Sequence, residues 1–144
     1  MIGDLDALLI AGRLFHTENT NYGHPLNQPK MVAVATALIN HHEAFTFAAF
    51  DGDEIVGFLA GEVVPDLWTD TTIASEHAFY VLPEYRSQGV GTRIISRFLQ
   101  WAEDQGAASV RLMISGGIND EYAADMLSQF GLHVRGFYLG KGFN

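Results

Sequence analysis

Cysteine is absent from the 144 residues. That excludes disulfides, thiolate metal sites and a cysteine nucleophile, so any acyl chemistry must be direct or use another nucleophile. Positive charge is scarce. Eight Lys and Arg stand against 17 Asp and Glu, giving a formal net charge of -9. Such a surface repels phosphate backbones, so nucleic acid is not expected as a partner. It attracts cations, and an amine is a cation at neutral pH. Long apolar runs are missing too. The best, Met31-Val32-Ala33-Val34-Ala35, is soon interrupted and cannot span a bilayer. Met1-Ile2-Gly3-Asp4 lacks the basic and apolar regions of a signal peptide, so a cytoplasmic location is expected. No repeat, low-complexity tract or linker interrupts the chain, which reads as one domain over residues 1–144.

Apolar residues make up 48% of the sequence, enough to build a core. Leu5, Leu8, Leu9 and Leu14 have helical spacing, which predicts a helix from Asp4, as cap, to about His16. Asn27 and Pro29 signal a second helix to about His41, since proline suits a first turn. Phe45–Phe50 and Ile55–Leu59 read as a hairpin around Asp51-Gly52-Asp53. After a loop from Pro65 to Thr71, Ile73–Val81 reads as a strand and Leu82–Gln88 as a polar turn. Gly91–Asp104 is an amphipathic helix with Ile94, Ile95, Phe98, Leu99 and Ala102 on its buried stripe. Ser109–Ile114 reads as a buried strand, Asp120–Phe130 as a helix ended by Gly131, and Leu132–Leu139 as a last strand region. The pattern is an α/β or α+β sheet with helices on its faces.

The chemistry concentrates in Phe79-Tyr80-Val81-Leu82-Pro83-Glu84-Tyr85-Arg86-Ser87-Gln88-Gly89-Val90-Gly91-Thr92. A strand ends, a short turn follows, and a helix begins at a glycine pair. The first N–H groups of a helix lack internal partners, and the helix dipole adds positive character there. Glycines let an anion approach the backbone closely. Arg86 can brace the loop or add charge. The segment therefore suits a pyrophosphate. Neither the Gly-Lys-Ser/Thr of a P-loop nor the third glycine of a dinucleotide fold is present.

The spacing Val81-x-Pro83-x-x-Arg86-x-x-Gly89-x-Gly91 resembles the signature of the GNAT superfamily of acetyl-CoA-dependent N-acetyltransferases, where it joins the fourth strand to the third helix. Gly57-Phe58-Leu59-Ala60-Gly61 is similar to the family's third strand. Ser115–Asn119, Ala123-Ala124 and Phe130-Gly131-Leu132 are similar to its fifth strand end and fourth helix. The resemblance covers about Phe45 to the C-terminus. It implies a mixed, mostly antiparallel sheet that splays between the fourth and fifth strands, with the first strand short or absent. It also implies that acetyl-CoA is the cofactor. Arg86, Ser87, Gln88, Gly89, Val90, Gly91 and Thr92 would hold its pyrophosphate. The backbone of Phe79, Tyr80 and Val81 would pair with its pantetheine arm. Asn119 would contact the cofactor or cap a helix.

The implied reaction moves an acetyl group from acetyl-CoA to a primary amine on a small molecule or protein, by direct attack in a ternary complex. A lysine-like amine has a pKa of about 10.4, so a base must deprotonate it. Glu76 is the first candidate and His77 the second. As strand neighbours they point to opposite faces unless a bulge intervenes. Leu127 stands where many family members carry a tyrosine general acid, which leaves a non-catalytic acyl-CoA-binding or regulatory module as the alternative. Glu18, Tyr22, His24, Asp66, Trp68 and Asp70 are candidates for the acceptor mouth. His41-His42-Glu43 lacks a third spaced ligand, so no metal site is read. The short sheet leaves a homodimer open.

Overall fold

The computed structural model describes residues 2–18, 23–113, 120–136 and 139–143. Helix α1 spans Ile2–Glu18 and α2 spans Gln28–Asn40. Strands β1 (Ala44–Asp51), β2 (Glu54–Pro65) and β3 (Thr72–Val81) follow. A 3-10 turn at Pro83–Tyr85 leads into α3 (Val90–Asp104), then β4 (Ser109–Arg111) and α4 (Asp120–Ser128). The sheet order is β1-β2-β3-β4, with the first two pairings antiparallel and β3–β4 parallel. This is the mixed α+β sheet expected. Among the described residues no strand precedes α1.

Local chemistry sets these elements. The Asn27 side chain accepts the Lys30 N–H at 3.0 Å and caps α2. α1 begins at Ile2, so Asp4 lies inside the first turn rather than ahead of it. On α3, Ile94, Ile95, Phe98 and Ala102 are buried, and Leu99 packs at their margin. Phe98 is fully buried, worth roughly 1.5–3 kcal/mol relative to exposure.

The sheet carries a core on each face. One joins α3 and Leu127 of α4 to Leu59 and Ala74. The other joins Leu8 and Ala11 of α1 to Ile55, Phe58 and Tyr80. Both faces are thus covered, and β3 runs between them.

The C-terminal strands need correction. β4 is only three residues long with Val110 half-buried, not a buried strand from Ser109. Residues 132–136 and 139–143 form no strand. Glycines at 131, 136, 140 and 142 explain this, because glycine gives up the most backbone entropy on ordering and offers no side chain to pack.

Candidate active site

β3 and β4 pair only at Ile73–Ser109, Ala74–Val110 and Ser75–Arg111. Beyond Ser75, β3 continues to Val81 with β2 alone beside it among the described residues. Glu76 is the first residue past the point of separation. It is 6% exposed, and its Oε2 accepts the Met113 N–H at 3.1 Å. The carboxylate thus reaches across to the chain leaving β4. Burial pushes its pKa up to about 7, against a smaller lowering by the Met113 N–H. A carboxylate on that footing exchanges protons at neutral pH.

A bulge does intervene at this point. Ala60 pairs with Ala78 and Gly61 with Glu76, leaving His77 as the extra residue of β3. The two candidates still separate. His77 is exposed, and its Nε2 lies 3.0 Å from Glu62 Oε1, whereas Glu76 is enclosed. Gly61 makes the bulge feasible. A Cβ there would sit 2.7 Å from the Ser75 carbonyl oxygen, 3.3 Å from Glu76 Cα and 3.3 Å from Phe98 Cε2.

The Leu82 N–H donates to the Val56 carbonyl at 2.9 Å, which sets the phase of the β2–β3 ladder. Bonding alternates along an antiparallel strand, so Phe79 and Val81 direct their backbone groups away from β2. Tyr80 directs its own toward β2. Of the three residues expected to meet a pantetheine arm through the backbone, Tyr80 is therefore the exception. Its side chain lies in the α1-side core, and its hydroxyl donates to Glu18 Oε2 at 2.5 Å. Burial and the neighbouring Glu18 carboxylate push its pKa up.

Past β3 the chain turns through the motif. Ser87 has φ 69° and Gly89 has φ 83°. Gly89 is the N-cap of α3 and makes no side-chain cap bond. The first intrahelical bond runs from Arg93 N–H to Gly89 C=O at 3.1 Å. The N–H groups of Val90, Gly91 and Thr92 thus precede the helical ladder, and among the described residues other than Gly89 and its chain neighbours no atom stands within 4 Å of where a Gly89 Cβ would project. Gly91 instead packs on Met126 and Phe79. The Gln88 side chain donates to the Glu84 carbonyl at 2.7 Å. Uncapped donors and clear space fit a pyrophosphate.

Arg86 braces the loop. Its Nε donates to the Val81 carbonyl at 2.9 Å, and its Nη1 and Nη2 meet the two Glu18 oxygens at 2.8 and 2.9 Å. The guanidinium also stands 5.5 Å from the Tyr80 ring centroid. Glu18 was not singled out for this partnership. Sequence gives no hint of it, because the pair is 68 positions apart.

The acceptor mouth expected from Glu18, Asp66, Trp68 and Asp70 does not come together. Glu18 sits beside Tyr80, at the far end of β3 from the Asp66–Thr71 turn. About nine residues of extended strand, roughly 30 Å, separate them, so Glu18 cannot share a mouth with Asp66, Trp68 and Asp70. Trp68 is 90% exposed, and Asp66 bonds Thr69 Oγ1 at 2.7 Å within its own turn. Leu127 is 4% exposed in the α3-side core. Asn119, Ser115–Ile118, Tyr22 and Tyr138 lie outside the described residues. No helix is long and apolar enough to cross a membrane among those described.

The acetyltransferase (GNAT) family model matches residues 12–132, so the chain belongs to that family. Over 63 residues it is 33% identical to thialysine N-epsilon-acetyltransferase of Mus musculus, covering 44% of this chain. The match spans 36% of that relative's length. A transcriptional regulator from Bacillus halodurans C-125 superposes with TM-score 0.75 at 18% identity, over 99% of this chain and 95% of that one. The aminoglycoside N-acetyltransferase AAC(6')-Iy, solved in complex with CoA, superposes with TM-score 0.74 at 16% identity, over 95% and 88%. These last two show a shared fold.

Proposed function

We propose that residues 1–144 act as one cytoplasmic domain that moves an acetyl group from acetyl-CoA to a primary amine by direct attack in a ternary complex. The observation that carries this reading is Glu76, buried where β3 and β4 part, with its pKa pushed up to about 7. A base poised near the working pH is what deprotonation of an ammonium requires.

Bound acetyl-CoA supplies an activated thioester. The N–H groups of Val90, Gly91 and Thr92 would hold its pyrophosphate. Phe79 N–H, Phe79 C=O and Val81 N–H would take the amide groups of its arm, as an added strand does. Ionised Glu76 accepts the ammonium proton, directly or through water, and frees the nitrogen lone pair for attack. Leu127 carries no acid group, so the C–S bond would break with the sulfur departing as thiolate, which a thiol of pKa about 8.5 permits. The second proton, shed by the acylated nitrogen, would pass through water to that sulfur. The acceptor is a small-molecule or protein amine. The names of the mouse relative and of AAC(6')-Iy both specify nitrogen acceptors, and the charge of -9 favours a cation.

The test is thermal unfolding and calorimetric titration with acetyl-CoA on wild type and Gly89→Asp. At a ligand concentration 100 times Kd, native-state binding adds about 2.7 kcal/mol, which raises Tm by roughly 6–10 °C for a chain of this size. Wild type should show the rise and Gly89→Asp should not. An amine panel scored by coenzyme A release then follows. Binding without release favours the second reading, a non-catalytic acyl-CoA-binding module, for which the buried Leu127 is the supporting observation. No binding by wild type removes both.

A further inference from the structure

The cofactor loop contains a non-glycine residue in the left-handed region, Ser87 at φ 69°. Such a conformation is strained and persists only where its surroundings hold it. The residue before it, Arg86, is where the hold is applied. Its backbone N–H donates to the Pro83 carbonyl at 3.3 Å. Its side chain is fixed on one side by the Val81 carbonyl and on the other by both oxygens of Glu18. The pair is mostly sheltered, with side-chain exposures of 22% for Arg86 and 28% for Glu18. Two parallel N–H to oxygen contacts fix orientation as well as distance.

The same carboxylate accepts the Tyr80 hydroxyl. Tyr80 lies between Phe79 and Val81, whose backbone groups point away from β2. One side chain at the C-terminal end of α1 therefore touches both the loop that precedes α3 and the strand end that would carry the arm. Burial favours the neutral acid, and the bonds from Arg86 and Tyr80 outweigh that, so the Glu18 pKa lies below its ordinary value. The carboxylate is thus ionised when it meets the guanidinium. With the Arg86 charge answered by Glu18, attraction for an anion rests on the backbone N–H groups, and their aim depends on where Arg86 is held.

We infer that Glu18 is a positioning residue for the cofactor loop, holding Arg86 so that the residues from Ser87 to Gly91 keep their anion-binding shape. The inference rests on the acetyl-CoA reading of that loop. It makes α1 a working part of the cofactor site rather than a cover for the sheet.

Glu18→Gln keeps the size of the side chain and removes the charge. Loss of a sheltered charged hydrogen bond predicts about a 10-fold rise in KM and Kd for acetyl-CoA. The kcat at saturating acetyl-CoA and the KM for the amine should change less than about 2-fold. Glu18→Asp, which keeps the charge, should recover part of the loss and serves as the deciding variant if Glu18→Gln does not fold. Amide hydrogen exchange of residues 86–91 in the ligand-free protein should accelerate in Glu18→Gln while that of α3 beyond Ile94 is unchanged. Unaltered acetyl-CoA affinity and unaltered loop exchange overturn the inference. So does a uniform loss in which kcat and Tm fall together, because that marks a purely structural role. If wild type itself fails to bind acetyl-CoA, the reading of the site fails first, and the exchange measurement alone still decides whether Glu18 orders the loop.

Discussion

The Glu76 carboxylate accepts the Met113 N–H at 3.1 Å, across the gap that opens where β3 and β4 stop pairing. One oxygen is thereby fixed. The group is otherwise enclosed, and burial raises its pKa to about 7. If Glu76 is the base, kcat/KM rises with pH through an apparent value near 7. Glu76→Gln should lose that limb and about 10²–10⁴-fold in kcat. Steady-state rates from pH 5.5 to 9 on both proteins check this. A full pH profile retained in Glu76→Gln assigns the proton to another group.

The same burial has a cost in stability. The folded pKa of Glu76, about 7, lies above its ordinary 4.5. Between those values the folded chain holds a proton that the unfolded chain has released, so stability falls as pH rises through that window. The full loss amounts to about 3 kcal/mol. Glu76→Gln keeps an acceptor for Met113 and has no charge to bury. Urea unfolding at pH 4.5 and pH 8 should therefore show the variant gaining on wild type as pH rises. An equal pH dependence in both proteins excludes Glu76 as its source.

His77 should matter little. It is exposed and paired with Glu62 at 3.0 Å, and exposed pairs contribute about 0–1 kcal/mol. His77→Gln should leave kcat within about 3-fold and Tm within a few degrees. A drop comparable to that of Glu76→Gln would move the catalytic base one residue along.

Much of this was legible from local patterns. The stripe from Ile94 to Ala102 fixed the buried face of α3, and Asn27 with Pro29 marked the start of α2. The spacing from Val81 to Gly91 marks the strand end, the turn and the start of α3. Pairwise geometry was not legible. Whether Glu76 or His77 is enclosed depends on the bulge, which needs the β2 register to locate it. The partnership of Glu18 with Arg86 joins residues 68 positions apart and leaves no periodic signal. The described residues of the C-terminal segment form no strand although Leu132, Val134 and Leu139 give an apolar pattern, because Gly131, Gly136, Gly140 and Gly142 interrupt it.

Gly61 tests whether the bulge positions Glu76, the proposed base. Its missing Cβ would lie 2.7 Å from the Ser75 carbonyl oxygen, a contact that only a backbone shift relieves. Gly61→Ala should cost about 1–3 kcal/mol in unfolding free energy. Glu76 Cα is 3.3 Å from the same point, so kcat should fall by about 10-fold or more in the folded fraction, as displaced catalytic groups do. Destabilisation with unchanged kcat would show that the register and the base are independent.

Leu127 separates packing from proton donation. It lies in the core with Leu59, Ile94 and Phe98, where a polar group would need a partner. Leu127→Ala should therefore destabilise by about 2–5 kcal/mol. Leu127→Met, which nearly conserves volume, should cost under about 1.5 kcal/mol and leave kcat unchanged. If the sulfur leaves as thiolate, the rate needs no enzyme-held acid. The pH profile then rises near 7 and stays level toward pH 9.5, without the descending limb that a required acid imposes. A descending limb in wild type would reveal a donor elsewhere. One that vanished in Leu127→Met would tie that donor to the packing of α4.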